Sequence, residues 1–188
     1  MKETFVILSG ESAVGKSTLI KGLQAKDNRF VPIPLITDRK PRTLEDEDRT
    51  CISPAEFKKK AGNNEFIHTI GKYGNRYGIL RSQVSAALGQ GKIPVSDYII
   101  QEIQGLNEFR DALCAFYILP PTLPILRERL HTIGRDPDGS RFQIAEQEIK
   151  YVESMHFAFP YLTAVIVNDN ADKAVETIIK HVDARRSR

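Results

Sequence analysis

Cysteine and long apolar segments are both scarce in this chain. Only two of its 188 residues are cysteine, Cys51 and Cys114, and neither stands in a cluster with the spacing of metal ligands. We therefore expect no disulfide framework, and we expect a reducing compartment. No apolar run approaches the roughly 20 residues that a transmembrane helix needs, and no basic segment leads into an apolar stretch at the start of the chain. These absences predict a cytoplasmic protein without a membrane partner.

Neither sign of charge is in large excess in this chain. The 27 basic and 24 acidic residues leave a formal net charge of +3. This excess is too small to indicate nucleic acid as a partner, although it suits an enzyme whose ligands are polyanions. Composition and length are those of a single globular domain. Nothing in the sequence indicates an oligomeric state.

Short apolar runs alternate with helical patterns along the chain. Buried parallel strands are predicted by three continuous apolar runs and one weaker candidate, at residues 5–8, 115–119, 164–167 and 94–100. Helical patterns begin at residue 16 and occupy residues 54–60, 122–131, 143–155 and 173–182. Strands that alternate with helices predict an α/β fold with three layers around a mainly parallel sheet.

Residues 33–91 interrupt this alternation. They are rich in arginine, proline, glycine and asparagine, and they combine short strand-like pieces with the helical stretch at 54–60. We interpret them as a subdomain inserted over the carboxyl-terminal edge of the sheet, where α/β proteins bind ligands. Residues 1–32 and 92–188 would then form the core of the same domain.

A glycine-rich loop lies between the first strand and the first helix. Residues 10–17 read GESAVGKS and fit the pattern GxxxxGK[ST]. The pattern predicts a P-loop NTPase, in which inward-turned backbone N–H groups and a helix N-terminus hold the phosphates of ATP. Lys16 would reach the β- and γ-phosphates, Ser17 would bind Mg²⁺, and Thr18 would lie near the α-phosphate. The predicted cofactor contacts are Gly10, Ser12, Ala13, Val14, Gly15, Lys16, Ser17 and Thr18.

Four further segments resemble those of guanylate kinases. They are TDRKPR at 37–42, NNEFI at 63–67, GNRYG at 74–78 and VIVND at 165–169, and their order and spacing agree with that family. The resemblance implies transfer of the γ-phosphoryl group of ATP to the phosphate of a small acceptor. It also implies that residues 33–91 bind a nucleoside monophosphate and that residues 131–142 form a short lid.

The resemblance assigns roles to individual side chains. Arg39 and Arg42 would grip the acceptor phosphate bidentately, with Tyr77 as a further donor. Arg135 and Arg141 flank a turn in the lid and would move onto the transferring phosphoryl group, so that closure also excludes water. Three further residues have expected roles. Arg129 would point into the site, Glu45 would orient an arginine, and Asn168 would contact the adenine or the ribose.

The positions that read guanine in the family differ in this sequence. Leu35, His68 and Ile79 stand where a serine, a glutamate and a serine or threonine are expected, and an expected aspartate falls near Ile99, close to Asp97. Arg49 or Thr50 replaces an expected tyrosine. His68 is either a new polar reader of the acceptor or a surface residue, and Asp97 is either near Mg²⁺ or part of the acceptor site.

The replaced positions predict an acceptor other than GMP. Guanine carries N–H donors, and each buried donor without a partner costs on the order of 1–3 kcal/mol. Another nucleoside monophosphate or a related phosphorylated metabolite is expected. Two alternatives remain open: a true guanylate kinase that converts GMP to GDP, and a guanylate-kinase-like binding module without catalysis. A switch-type GTPase is not favoured, because residues 168–170 do not match its guanine-reading segment.

Overall fold

A computed structural model describes residues 2–41, 49–72, 74–134, 136–155 and 161–187. Its strands are β1 (Phe5–Ser9), β2 (Phe30–Pro32), β3 (Leu35–Thr37), β4 (Arg49–Cys51), β5 (Phe66–Lys72), β6 (Asn75–Leu80), β7 (Ile93–Asp97), β8 (Leu113–Leu119) and β9 (Leu162–Val167). Its α-helices are α1 (Lys16–Lys26), α2 (Pro54–Gly62), α3 (Arg81–Gly89), α4 (Leu123–Thr132), α5 (Ser140–Met155) and α6 (Ala171–Arg186). A 3₁₀ segment covers Ile100–Phe109.

Five strands form a parallel central sheet in the order β2-β7-β1-β8-β9. Every residue of β1 and β8 is buried, which is the environment that a continuous apolar run requires. The strands predicted at 5–8, 115–119 and 164–167 are confirmed. The weaker candidate is half right, because β7 ends at Asp97 and the chain then enters the 3₁₀ segment.

Helical segments cover both faces of this sheet. The ring of Phe5 packs edge-to-face on Phe109 of the 3₁₀ segment, with centroids 6.0 Å apart. Phe116 lies beside Leu8 in the parallel register and packs on His181 of α6. Because Phe5 and Leu8 point to opposite faces of β1, the sheet is the middle of three layers. The predicted three-layer α/β fold of P-loop NTPases is confirmed.

Side-chain caps explain where several helices begin. The hydroxyl of Ser53 accepts the N–H of Glu56 at the start of α2. Asn170 likewise accepts the N–H of Lys173 at the start of α6. Such caps satisfy backbone donors that have no partner within the helix. In the part of the chain that the structure describes, no helix is both long and apolar enough to cross a membrane.

A second sheet lies within residues 33–91, in the order β4-β3-β6-β5. It mixes parallel pairing of β3 with β4 and antiparallel pairing of β6 with β3 and β5. Phe57 of α2 stacks on Phe66 of β5, with centroids 4.7 Å apart, and both belong to a small separate hydrophobic cluster. This sheet lies beside the carboxyl ends of the central strands, where it completes the walls of a cleft.

The sequence did not predict α3 or the 3₁₀ segment. Helix α3 packs against β7 of the central sheet, and Val84 and Leu88 are buried there. The 3₁₀ segment packs against β5. Both segments are short, and their conformation depends on these tertiary contacts. The periodicity of the local sequence does not predict such contacts.

Candidate active site

A cleft of about 540 Å³ opens at the carboxyl-terminal edge of the central sheet. The loop after β1, the segment after β7 and the segment after β9 form its floor, and the second sheet and the α4–α5 region form its sides. This is where ligands bind in open α/β sheets. Most of the predicted site residues line it: Gly10, Ser12, Ala13, Gly15, Lys16, Ser17, Thr18, Leu35, Arg39, Tyr77, Asp97, Arg129, Arg141 and Asn168.

The loop from Gly10 to Gly15 has a backbone that only small residues adopt easily. Gly10 and Gly15 have φ angles of 129° and 99°, and Ala13 has a φ of 68°. A Cβ on Gly10 would lie 2.5 Å from the carbonyl oxygen of Ile118 in β8. The glycines of the motif are therefore required both by conformation and by the close approach of the loop to the sheet.

Lys16 stands at the end of this loop and begins α1. Its Nζ donates to the carbonyl oxygens of Gly10 and Glu11 at 2.6 and 2.8 Å. Desolvation lowers the pKa of Lys16, and the charges of Asp97 and Glu11 oppose this change. An ammonium group that is already partly desolvated interacts more strongly with a phosphate than one in bulk water does.

The start of α1 fits the phosphates of a nucleotide with magnesium. Gly15 precedes the helix and provides no side-chain cap. The first N–H groups of the helix, at the edge of the cleft, are therefore not capped by this residue. Ser12, Ser17 and Thr18 line the cleft beside them. The side chain of Val14 is fully buried, so this residue can contact a phosphate only through its backbone.

Asn168 connects the loop to the last strand. Its buried side chain donates from Nδ2 to the carbonyl oxygen of Val14 at 2.8 Å. A Cβ on Gly15 would collide with the same amide group. The side chain thus holds the back of the phosphate loop while it lines the cleft. The predicted contact of Asn168 with the adenine or ribose stays a prediction.

A bidentate ion pair joins the two sheets at the cleft floor. Arg49 of β4 donates from Nη1 and Nη2 to the two carboxylate oxygens of Asp97 at 2.7 and 2.6 Å. Desolvation tends to raise the pKa of Asp97, but the charge and hydrogen bonds of Arg49, together with Lys16, hold it below its ordinary value. Asp97 therefore stays ionised, with both of its oxygens occupied by Arg49.

The wall on the side of the second sheet, where the acceptor is predicted to bind, combines cations and apolar side chains. Arg39 is 9% exposed, and its backbone N–H donates to the hydroxyl of Thr37 at 3.1 Å. Tyr77 lies opposite Ile70 in the β5–β6 ladder, and both line the cleft. Other side chains of this wall are Leu35, Arg49, Lys72, Tyr98 and Ile99.

The opposite side of the cleft is formed by the turn between α4 and α5. The carboxylate of Asp136 accepts the N–H groups of Arg141 and Phe142 at 2.9 and 3.0 Å and so caps α5. Arg129 and Arg141 both line the cleft from this side. Three other predicted residues, Arg42, Glu45 and Arg135, lie outside the described residues.

Two predicted acceptor contacts do not line the cleft. Ile79 is fully buried in the main core. The Nδ1 of His68 lies 2.8 Å from the hydroxyl of Tyr98, and its ring packs directly on Gly105 of the 3₁₀ segment. Both predicted contacts need correction. The unpredicted 3₁₀ segment packs on β5, where it covers His68, whereas the side chain of Ile79 in β6 is part of the main core. His68 reaches the cleft only through Tyr98, which does line it.

Sequence reasoning missed a charged cluster beside the phosphate loop. Glu11 is 5% exposed, and its Oε1 lies 3.9 Å from Nζ of Lys72. The hydroxyl of Tyr117 donates to Oε1 of Glu148 at 3.1 Å. Desolvation, with a hydrogen bond to Glu11 and its charge, raises the pKa of Glu148 to about 7, against the opposing charge of Lys72. The only sequence signal was a glutamate within a loop that binds anions.

The fold and the cleft together define the class of protein. A glycine-rich loop ends in a lysine and a serine between the first strand and first helix of a parallel sheet, and arginines from two sides face this loop across the cleft. Phosphoryl transfer needs this combination of positioning and positive charge. The protein is a P-loop phosphotransferase.

Comparison with known proteins identifies the family. The family model described as guanylate kinase matches residues 2–185. The chain belongs to the guanylate kinase family, and it is a nucleotide kinase that carries out ATP-dependent phosphotransfer.

Individual relatives agree with this assignment over nearly the whole chain. A guanylate kinase of Clostridium tetani is 31% identical over 193 residues, which cover 100% of this chain and 88% of the relative. A guanylate kinase of Clostridium perfringens is 32% identical over 179 residues, covering 92% and 79%. A crystal structure of guanylate kinase from Anaplasma phagocytophilum has a TM-score of 0.75 at 22% identity, covering 100% and 88%, and it shows the shared fold.

Proposed function

We propose that the chain transfers the γ-phosphoryl group of Mg²⁺-bound ATP to the phosphate of a small acceptor other than GMP. The observation that carries this proposal is the composition of the acceptor-side wall. Asp97 lies two residues before Ile99, where the family pattern has an aspartate, and Arg49 already neutralises its charge by donating to both of its oxygens. Beside it lie Leu35, Ile70 and Ile99, which accept no side-chain hydrogen bonds.

Guanine would be bound poorly by such a wall. Its ring N–H and amino group donate hydrogen bonds, and leaving each buried donor unpaired costs on the order of 1–3 kcal/mol. A site that lacks the matching acceptors discriminates strongly against such a ligand. An acceptor with a phosphate and a less polar remainder suits this wall better.

Residues on the donor side would bind ATP and magnesium as the loop geometry allows. Lys16 and the N–H groups at the start of α1 would hold the phosphates, and Ser17 would provide a hydroxyl ligand to Mg²⁺. Bound magnesium would neutralise phosphate charge during transfer. Asn168 would keep the loop in shape through Val14.

Residues of the second sheet and the lid would align the two phosphates. We propose that residues 33–91 act as the acceptor arm and residues 131–142 as the lid. Arg39 and Arg42 would bind the acceptor phosphate, while Arg141 and Arg135 would approach the phosphoryl group from the lid. The acceptor phosphate is already anionic at neutral pH, so no general base is needed.

A steady-state assay with Mg²⁺ and ATP over a panel of monophosphates tests the proposal. The panel contains GMP, AMP, CMP, UMP and phosphorylated sugars. We expect another acceptor to exceed GMP in kcat/KM by at least about tenfold, which corresponds to about 1.4 kcal/mol of transition-state binding. If GMP is the best acceptor, the protein is a guanylate kinase in activity as well as in family.

Single-turnover transfer from labelled ATP separates catalysis from binding alone. The Lys16→Ala variant is the control, because it lacks the ammonium group of the phosphate loop. A wild-type chain that transfers label to no member of the panel would support a binding module instead.

A further inference from the structure

Lys72 brings a cation from the second sheet to the phosphate loop. It is the last residue of β5, and its Nζ lies 3.9 Å from Oε1 of Glu11. The side chain of Lys72 is 32% exposed and that of Glu11 only 5%. The ammonium group therefore reaches across the cleft from the acceptor side to the loop that binds the donor.

Two ammonium groups lie at Glu11, one at its backbone and one at its side chain. Lys16 donates to the backbone carbonyl of Glu11 at 2.8 Å, while Lys72 approaches its carboxylate. The charge of Lys72 contributes to lowering the pKa of Lys16, so each lies within the field of the other. Repulsion between like charges is relieved when a group with more than one negative charge lies between them.

The strand geometry keeps Lys72 on the cleft side of β5. Side chains two apart share one face of a strand, and both Ile70 and Lys72 line the cleft. Tyr77, opposite Ile70 in the ladder, lines it as well. The space between this face and the phosphate loop is where a phosphoryl group would pass from donor to acceptor.

We propose that Lys72 binds the γ-phosphoryl group of ATP from the acceptor side, as a second ammonium group opposite Lys16. The inference rests on the proposed function only in taking ATP as the donor. During transfer the bond from the γ-phosphorus to the β,γ-bridging oxygen breaks and a bond to the acceptor oxygen forms. Lys72 stays protonated throughout, and it exchanges the carboxylate of Glu11 for phosphate oxygens.

The test compares the binding of Mg²⁺·ATP with that of Mg²⁺·ADP, which lacks the γ-phosphate, by titration calorimetry without acceptor. We expect Lys72→Met to weaken Mg²⁺·ATP about tenfold while Mg²⁺·ADP stays within about twofold, because one charge-assisted contact is lost only with ATP. Lys72→Arg keeps the charge and should restore part of the difference. Lys58→Met, an exposed lysine of the same sheet unit, is the matched control and should change neither affinity.

A purely structural role of Lys72, in which it only links the two sheets, would give a different result in these titrations. If Lys72 only holds β5 against the loop, Lys72→Met and Glu11→Gln should have the same effect, and both should change ATP and ADP binding equally. That result, or unchanged binding of both nucleotides by Lys72→Met, would overturn the inference. Failure of the proposed function is distinguishable, because ATP-selective binding that depends on Lys72 can be present in a chain that phosphorylates no monophosphate.

Discussion

At the scale of single residues, the pair of Arg49 and Asp97 has the most consequences. It joins β4 of the second sheet to the end of β7 through two short parallel hydrogen bonds. The side chains are only 20% and 15% exposed. A bidentate guanidinium–carboxylate pair of this kind is geometrically specific, and a lysine would not replace the arginine. It neutralises Asp97 and fixes a cation beside the proposed site of the acceptor phosphate.

Removing one partner of this pair should cost more than removing both. Asp97→Asn is expected to lower the free energy of unfolding by about 2 kcal/mol, because it leaves a desolvated guanidinium without its counter-charge. Arg49→Met should do the same for the carboxylate. A double-mutant cycle by urea denaturation should give a coupling energy above about 2 kcal/mol. Additive losses in the double variant would contradict the interpretation.

At the scale of elements, the phosphate loop is supported from two directions. The amide of Asn168, just after β9, holds the carbonyl of Val14. On the other side, the carboxyl group of Glu148 in α5 interacts with that of Glu11 in the loop. Helix α5 also carries Arg141 into the cleft, so one helix contacts both the loop and the space above it. A change in the protonation of Glu148 therefore acts on the loop and on the α5 side of the cleft together.

Stability should fall as the pH rises through the range in which Glu148 is protonated only in the folded chain. Its pKa is raised from 4.5 to about 7. Between these pH values the folded chain holds a proton on Glu148 that the unfolded chain releases. The contribution of this group to the free energy of unfolding is therefore fully present below pH 4.5 and is lost as the pH rises toward about 7. Glu148→Gln removes this titration.

Thermal unfolding across this pH range measures the effect. Between about pH 5 and pH 7.5 the wild type should lose about 2 kcal/mol more than Glu148→Gln, or roughly 4–8 °C in melting temperature. Glu146→Gln on the same helix, where Glu146 pairs with Lys150 near the surface, is the matched control and should keep the wild-type dependence. An identical dependence in Glu148→Gln would refute the raised pKa.

At the scale of the whole molecule, two sheets share one cleft, and the main hydrophobic core includes residues of both. The central sheet contributes the phosphate loop, and the second sheet contributes Arg39, Arg49 and Lys72. Because the cations of the second sheet face the donor loop, phosphates bound between them would draw the two parts together. Ligand binding and folding stability should therefore be linked.

Mg²⁺·ATP is expected to stabilise the folded chain by mass action. At a concentration about 100 times its Kd the gain is about 2.7 kcal/mol, which corresponds to roughly 5–10 °C in melting temperature for a chain of this size. Differential scanning fluorimetry measures the shift. Lys16→Met should lose most of it at the same ATP concentration. An equal shift in Lys16→Met would show that ATP binds elsewhere.

Much of the fold followed from sequence patterns, and the reasons are local. The runs at 5–8 and 115–119 are continuous and apolar because β1 and β8 are buried on both faces. The strand predicted at 94–100 was only half right. β7 ends at Asp97, and the apolar residues that follow lead into the 3₁₀ segment. Helix α3 has no strong apolar periodicity, and it forms where it can pack on β7.

The sequence by itself determined the donor half of the site. Residues 10–18 are contiguous, and their glycines, lysine and hydroxyl groups have a fixed spacing that one strand–loop–helix unit converts into a phosphate cradle. Only the tertiary structure decided the opposite wall of the cleft, which we propose to hold the acceptor. It paired Arg49 with Asp97, brought Lys72 to Glu11, and took His68 and Ile79 out of the cleft wall. These contacts join residues far apart in the chain, so their partners depend on how the two sheets and the 3₁₀ segment pack rather than on any local pattern.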